Sequence, residues 1–483
     1  MENAYGIPMD PTSHTSKQAK KALRLRLGGI GTLLLGAGYM LAGAGDLAHH
    51  RELVIGLMLA MGCLWATGLV LARRFEDPRQ VPGVLPFVLL VAVALRIFAL
   101  GAEPNLSDDV WRYVWEGGLV AEGKSPYAQA PDALVLAPER EAWPEVYQAM
   151  NNTDVSAAYP PVTQAAAAAV VALSGGPTEA ESARYGLRIF FSLADLLVLL
   201  PLGVLLRRRG LPEALLLTWA WCPLVVYEFA ASAHFDSLGV LLLMIAIALL
   251  EPYPLASKLR SGLGLAALGA AFLVKFLPLL AFPFLLWRGT ARQVAQRTAG
   301  LGLVIILGLL PVLLLEGAFT GILDGLANYG LRWESWNLLH RYVEPLFTVF
   351  GDRDNTWTDP RKLSKLLTGG LAFLWILRLF LRGEAPLRAT GLALCAFLLV
   401  SPTLHPWYLA WIIPFLAFGS GRAWAFLVVA SPLLYWPLTS WQIDQEWIEP
   451  GWLWPVVALP FYGLLLLDAF RLREARLGSD ASR

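Results

Sequence analysis

Apolar stretches close to the ~20 residues needed to cross a bilayer recur from residue 28 to residue 471, which restricts this chain to a polytopic helical membrane protein. In hydrocarbon every backbone polar group must find its partner inside the structure, and runs of this length achieve that as helices. Spans are expected near 28–45, 52–72, 83–102, 187–206, 212–231, 237–251, 299–316, 366–382, 389–404, 407–420, 423–440 and 452–471. A further stretch, 262–287, carries Lys275 at its middle and runs on into Phe276, Leu277 and Pro278; it is either one tilted helix or two short ones. Composition agrees: 57% of residues are hydrophobic and 16% charged, against about 25% charged in ordinary globular proteins. With 38 Lys+Arg against 37 Asp+Glu, no bulk field attracts nucleic acid, and no nucleic-acid partner is expected. Cys63, Cys222 and Cys395 lie far apart in apolar runs and read as packing residues. About 27 polar and basic residues precede the first apolar run, which does not match a cleavable signal, so the first span is expected to remain as an anchor.

Orientation follows from Lys and Arg in short loops, which collect on the cytoplasmic side. Lys17, Lys20, Lys21, Arg24 and Arg26 would lie inside, as would Arg73 and Arg74, and Arg207, Arg208 and Arg209. So would Lys258 and Arg260, Arg288, Arg292 and Arg297, and Arg378, Arg382 and Arg388. For Arg260 and Arg288 to share that side, 262–287 must cross twice or dip in and return, which puts Lys275 at the apex of a hairpin. The expected fold is all-α and polytopic, with about 12–14 spans. It comprises a cytoplasmic tail over 1–27, one transmembrane domain over 28–471 and a second cytoplasmic tail over 472–483. Two long loops, 103–187 and 317–364, fall on the outer side.

Both loops carry helical signals. In 106–123, Ser107 suits an N-cap, Asp108 and Asp109 suit the first turn, and Trp111, Val114, Trp115 and Leu119 recur at helical spacing. An interfacial amphipathic helix with its aromatic face in the headgroups is expected. Arg112 stands four residues from both Asp108 and Glu116, the spacing of a surface ion-pair ladder. A second, alanine-rich helix over 159–173 is expected on, or dipping into, the outer surface. Asp195, inside a span, is expected to pair within the bundle.

This topology sets Asp108 and Asp109, His234 and Asp236, Lys275, Arg332, and His405 with Tyr408 at outer helix ends or loops, where they are expected to converge on one cleft. Each has a structural alternative. Asp108 and Asp109 also suit stabilisation of a helix N-terminus. Lys275 also suits snorkelling from a lipid-facing helix, although an ionisable residue inside an apolar hairpin is a functional hypothesis. His234 and Asp236 also suit capping of the span that follows Ser237. His405, Trp407 and Tyr408 also suit an aromatic belt, and Trp333 and Trp336 suit stacking on sugar faces. Asp154 is either a second external carboxylate or part of a solvated turn.

The string DDVWRYVWEGGLVAEGKSPYAQAP (108–131), with NNTDVSAAYPPVTQ (151–164), resembles the first external loop of bacterial polyprenyl-phosphate-mannose-dependent mannosyltransferases of the GT-C superfamily. AHFDSLGVLLL (233–243), LVKFLPLL (273–280) and SPTLHPWYLAW (401–411) extend the resemblance. In many GT-C enzymes the acidic loop follows the first span; here it follows the third, which leaves its side of the membrane unchanged. The resemblance implies a membrane glycosyltransferase that moves a sugar, mannose by this likeness, from a polyprenyl phosphate to an acceptor hydroxyl on the extracytoplasmic side of the bacterial inner membrane. The acceptor would be a glycan or lipid-linked molecule, and membrane lipids would surround the enzyme. Such transfer needs a base for the acceptor, cations for the departing phosphate and a groove for the polyprenyl tail. Asp108 is preferred over Asp109 as the base of an inverting displacement, with Lys275 and Arg332 facing the phosphate. The sequence shows no HExxH or CxxC motif, and a divalent metal is left undecided because phosphate is already a competent leaving group. The alternative is a transporter or flippase of a lipid-linked sugar, although no internal repeat of the transporter kind is visible.

Overall fold

In a computed structural model the described residues are 11–74, 83–103, 106–251, 257–332, 334–353, 357–419 and 421–480. They form helices and connecting loops, and pairing outside helices is limited, among the described residues, to isolated bridges between Asp46 and Glu103 and between Ser335 and Thr403. Among the described residues seven helices have the length and apolarity to cross a membrane: Lys21–Ala42, Arg51–Ala72, Ala180–Arg208, Ala291–Leu314, Pro360–Leu381, Arg422–Asp444 and Leu453–Phe470. The pair Glu213–Ala220 and Pro223–Ala231, bent by 57°, makes an eighth when taken as one broken span. Shorter apolar helices at Val84–Leu100, Pro161–Leu173, Asp236–Leu250, Leu277–Leu286 and Pro386–Val400 occupy other expected positions. The chain is an all-α polytopic membrane protein. Leu303, Ile306, Leu307, Phe373 and Leu374 stand exposed on Ala291–Leu314 and Pro360–Leu381, the surface a hydrocarbon solvent requires.

The broken span shows how sequence dictates geometry. Pro223 has no N–H to continue the helix from Ala220, so carbonyls on its N-terminal side are released and must be met inside the bundle. Trp65 Nε1 donates to Thr218 O at 3.0 Å, and Arg96 Nη1 donates to Ala220 O. The same arginine grips Asp195 with two bonds, Nε to Oδ2 at 2.8 Å and Nη2 to Oδ1 at 3.0 Å, so Asp195 does pair within the bundle. Beyond the break, Tyr227–Ala231 winds as a π-helical turn, a local widening common at functional sites.

At Lys275 the 262–287 stretch breaks as the two-helix alternative anticipated. Helix Lys258–Val274 ends there in extended backbone, and the chain continues through the 3-10 turn Leu277–Ala281 and helix Phe282–Leu286. Segment 407–420, expected as a span, is instead a 3-10 helix Pro406–Trp411 followed by the short buried helix Ile413–Leu416. Pro406 and Pro414 interrupt it, and the resulting turn holds His405, Trp407 and Tyr408 in the protein interior.

Candidate active site

The acidic segment forms helix Asp109–Ala121 with Asp108 at its N-cap and the Ser107 hydroxyl accepting from the Asp109 N–H at 3.3 Å. Its apolar face is turned to protein and not, as expected, to the headgroups. Val110, Tyr113, Val114, Trp115 and Leu119 are buried, and the helix packs on the alanine-rich helix Pro161–Leu173 so closely that a Cβ at Gly117 would stand 2.8 Å from the Ala167 carbonyl carbon. Small residues on both helices permit this approach, which amphipathic spacing alone does not register. The expected surface ladder is likewise an interior network. Arg112 Nε reaches Glu116 Oε1 at 2.8 Å, Gln164 Nε2 donates to Glu116 Oε2 at 2.6 Å, and Arg112 also holds the loop carbonyls of Asn152 and Val155. Arg112 therefore ties the polar loop 151–155 against the start of the acidic helix.

That loop presents Asn151, whose amide Nδ2 donates to Asp108 Oδ1 at 2.5 Å and to Asp109 Oδ1 at 3.1 Å. The two carboxylates then diverge electrostatically. Burial, joined by the Asp109 charge, pushes Asp108 up to about 6. Burial also pushes Asp109 upward, but the nearby His234 imidazolium and the Asn151 bond outweigh it, and Asp109 is held below the usual carboxylate range. His234 is fully buried, with Nδ1 2.8 Å from Glu228 Oε2 and Nε2 3.6 Å from Asp109 Oδ2. Burial alone would lower its pKa; Glu228 and Asp109 override that and push it up to about 9. His234 is thus a cation between two carboxylates. His405 is its counterpart: burial drives it down to about 4, with His234 and Lys275 adding to the lowering, so its ring is neutral. Trp407 lies between the two imidazoles, stacked at 4.0 Å from His234 and 4.5 Å from His405.

Lys275 reaches the same place from the helix break. Thr163 Oγ1 of the alanine-rich helix donates to Val274 O at 2.8 Å, which pins the end of the lysine-bearing helix. Lys275 Nζ pairs with Asp236 Oδ1 at 2.8 Å and sits 4.2 Å from the Tyr408 ring centroid. Asp236 does not cap its helix as the structural alternative had it: no side-chain cap is made there, and its Oδ1 also accepts from Trp411 Nε1 at 2.5 Å.

Two cavities meet at these groups. The larger, about 470 Å³, carries Asp108, Asp109, His405, Trp407, Trp441 and Trp447 on its wall. The smaller, about 230 Å³, carries Asp109, Lys275, Arg112, Leu277, Leu326 and Phe397, a mostly apolar lining with two cations. Asp109, Asn151, Asn152, Tyr159 and Tyr408 line both. Of the expected residues, Asp108, Asp109, Lys275, His405 and Tyr408 line one cavity or the other, and His234 and Asp236 stand directly behind them. The side chain of Arg332 and all of Trp333 lie outside the described residues, Trp336 is buried, and Asp154 is exposed and lines neither cavity. Sequence reasoning missed Glu228, Asn151, Tyr159 and the Trp441–Trp447 wall. For Glu228 a signal existed, since an acid inside a membrane span is rare and functional.

A metal-ligating arrangement arises in the second loop, where Glu334, His340 and Glu344 bring ligand atoms within 4.8 Å of one another. Their charges are already opposed: Lys365 lies 3.2 Å from Glu334 and Arg353 lies 3.1 Å from Glu344. The loop is tied to the site by Leu404 N–H donating to Ser335 O at 2.8 Å and Ser335 N–H donating to Pro402 O at 3.2 Å.

A helical bundle that holds a differentiated carboxylate pair, a buried lysine and an aromatic-walled cleft at the ends of its helices has the makings of a polytopic membrane enzyme. The chain belongs to the alpha-(1->6)-mannopyranosyltransferase family, matching its N-terminal domain over residues 26–291 and the MptB C-terminal domain over residues 340–436. No curated protein and no solved structure matches the chain significantly. It is a membrane glycosyltransferase of a mannosyltransferase family, and the N-terminal match contains the acidic helix, His234, Asp236 and Lys275.

Proposed function

We propose that the chain transfers mannose from a polyprenyl phosphate to an acceptor hydroxyl at the extracytoplasmic face of the bacterial inner membrane, with inversion at the anomeric carbon. The observation that carries this reading is the junction of two unlike cavities at the carboxylates. The apolar chamber with Lys275 suits a lipid phosphate, whose negative charge grows as the glycosidic bond breaks and is stabilised there by the ammonium. The larger chamber, walled by Trp407, Trp441 and Trp447, suits an acceptor carbohydrate, because aromatic faces pack against the apolar faces of sugar rings. Asp108 lines that chamber and, with a pKa of about 6, is ionised at neutral pH yet basic enough to accept the hydroxyl proton. Attack from the acceptor side, opposite the phosphate, inverts the centre. The placement of Lys and Arg in short loops supports the extracytoplasmic side.

The test incubates purified protein with radiolabelled polyprenyl-phosphate-mannose and oligomannoside acceptors. Asp108→Asn is expected to lower transfer by about 10²-fold or more, the ordinary contribution of a general base. Transfer at the wild-type rate would remove Asp108 from this role, and lipid movement between leaflets without transfer would favour a flippase. Cysteine labelling at position 275 from the cytoplasmic side alone would overturn the sidedness.

A further inference from the structure

One fully buried acid near the site belongs to a residue that lines neither cavity. Glu228 is fully buried on the π-helical turn Tyr227–Ala231, within the broken span. A carboxylate in such surroundings costs several kcal/mol unless it is paired. Its Oε1 accepts from the Tyr435 hydroxyl and its Oε2 faces His234 Nδ1 at 2.8 Å. The backbone enforces the pairing: His234 N–H donates to Glu228 O at 2.9 Å, and the intervening Ala233 takes φ of 59°, a left-handed conformation that is uncommon for a residue with a Cβ. On its far side His234 faces Asp109 Oδ2 at 3.6 Å, and Trp407 covers its ring. Neither ring nitrogen has an aligned hydrogen-bond partner among the described residues, so the coupling is one of charge.

We propose that Glu228 is a positioning residue that acts through His234 to set the charges of the Asp109 and Asp108 pair. The chain of influence is Glu228, His234, Asp109, Asp108. The buried carboxylate keeps the imidazole protonated, and the imidazolium holds Asp109 as an anion. Asp109 in turn disfavours a second negative charge on Asp108, which makes Asp108 the more basic member. The groups that surround His234 and its partners are Asp108 and Asp109 from the acidic helix, Glu228 from the π turn and Tyr435 from helix Tyr435–Asp444. His405 lies across Trp407, and Lys275 with Asp236 flanks the cleft. Of these, Glu228 and Asp109 favour the imidazolium against the cost of its burial, and neutral His405 adds no competing charge.

This inference rests on Asp108 being the base. Its test is the pH profile of kcat/KM for mannosyl transfer. Glu228→Gln removes the charge that keeps His234 protonated, so the coupled Asp108 and Asp109 pair loses the cation that offsets its two negative charges and holds its second proton to higher pH. The acid limb is then expected to move upward by about half a pH unit or more, while Glu228→Asp, which retains the carboxylate, returns it towards the wild-type position. A purely structural role for Glu228 would lower the rate equally at every pH with the limb unmoved, and that result overturns the proposal. Should Glu228→Gln fold poorly, the double variant Glu228→Gln/His234→Gln replaces the buried ion pair by two amides without leaving an unpaired charge, and the same upward movement is expected. Asp108→Asn separates the two levels. If it transfers with wild-type rate and profile, the base assignment fails; if it is inactive while the Glu228→Gln limb stays in place, the Glu228 proposal alone fails.

Discussion

Lys275 Nζ and Asp236 Oδ1 meet at 2.8 Å at the edge of the apolar cavity, so the cation proposed to face a departing phosphate has a carboxylate partner of its own. A pair of this kind positions the ammonium while limiting its attraction for anions, so its stabilising effect is greatest when the developing phosphate charge approaches. Lys275→Gln is expected to lower kcat by about 10²-fold, as loss of one transition-state donor does in other enzymes, with a smaller change in donor KM. Steady-state transfer at varied donor concentration separates the two. A change confined to KM would make Lys275 a ground-state binder.

The second prediction concerns pH. A base must be unprotonated, and Asp108 is raised to about 6 by burial and by Asp109. Transfer is therefore expected to be fully developed above pH 7 and to fall about tenfold per unit below pH 6. Asp109→Asn removes the like charge, so the acid limb should move to lower pH, the direction opposite to that expected of Glu228→Gln. A profile that is flat from pH 5 to 8 would exclude Asp108 as the titrating group.

Much of this was legible in the sequence. Apolar run lengths imply an all-helical membrane protein, and the sequence around Asp108 and Asp109 points to carboxylates that line the candidate cleft. Helix packing was not legible. Amphipathic spacing in 106–123 signalled a lipid-facing stripe because Trp111, Val114 and Trp115 align, yet Gly117 and the alanines of Pro161–Leu173 allow two helices to meet there, and Arg112 with Glu116 becomes internal. The role of Glu228, though not its oddity as an acid inside a span, was hidden for a different reason. The residue sits in an apolar run, and its meaning depends on Tyr435, more than two hundred residues away.

Stability should carry the signature of His234. Its folded-state pKa of about 9 lies above the ordinary value of 6.5, so the contribution to stability is fully present below pH 6.5 and is lost as pH rises through 9. Thermal unfolding in detergent should show wild type losing more stability than the Glu228→Gln/His234→Gln variant between pH 6.5 and 9. Parallel curves would mean that His234 is not charged in the folded protein.

Arg96 and Asp195 form a buried ion pair of the bundle, with Arg96 also holding the Ala220 carbonyl at the helix break. Asp195→Asn leaves the guanidinium buried with half its compensation, and a cost of about 3–5 kcal/mol is expected. Through Ala220 the pair holds the broken span that leads to Glu228, so a lower unfolding midpoint should be accompanied by reduced transfer. Unchanged unfolding would show that water or lipid headgroups reach Arg96.

The position of Asp108 depends on how closely the acidic helix lies on the alanine-rich one. A Cβ at Gly117 would meet Ala167 backbone carbon at 2.8 Å and its oxygen at 3.0 Å, atoms that cannot rotate away. Gly117→Ala must therefore push the helices apart, at about 1–3 kcal/mol. The same displacement carries Asp108 away from Asn151, and a misplacement of about 1 Å is enough to lower rates by about 10²-fold. Gly28→Ala is the matched control, because a Cβ there meets nothing within 4 Å, and both its unfolding midpoint and its transfer rate should match wild type. If Gly117→Ala kept full transfer despite a lower midpoint, the helix contact would matter for stability and not for placing the base.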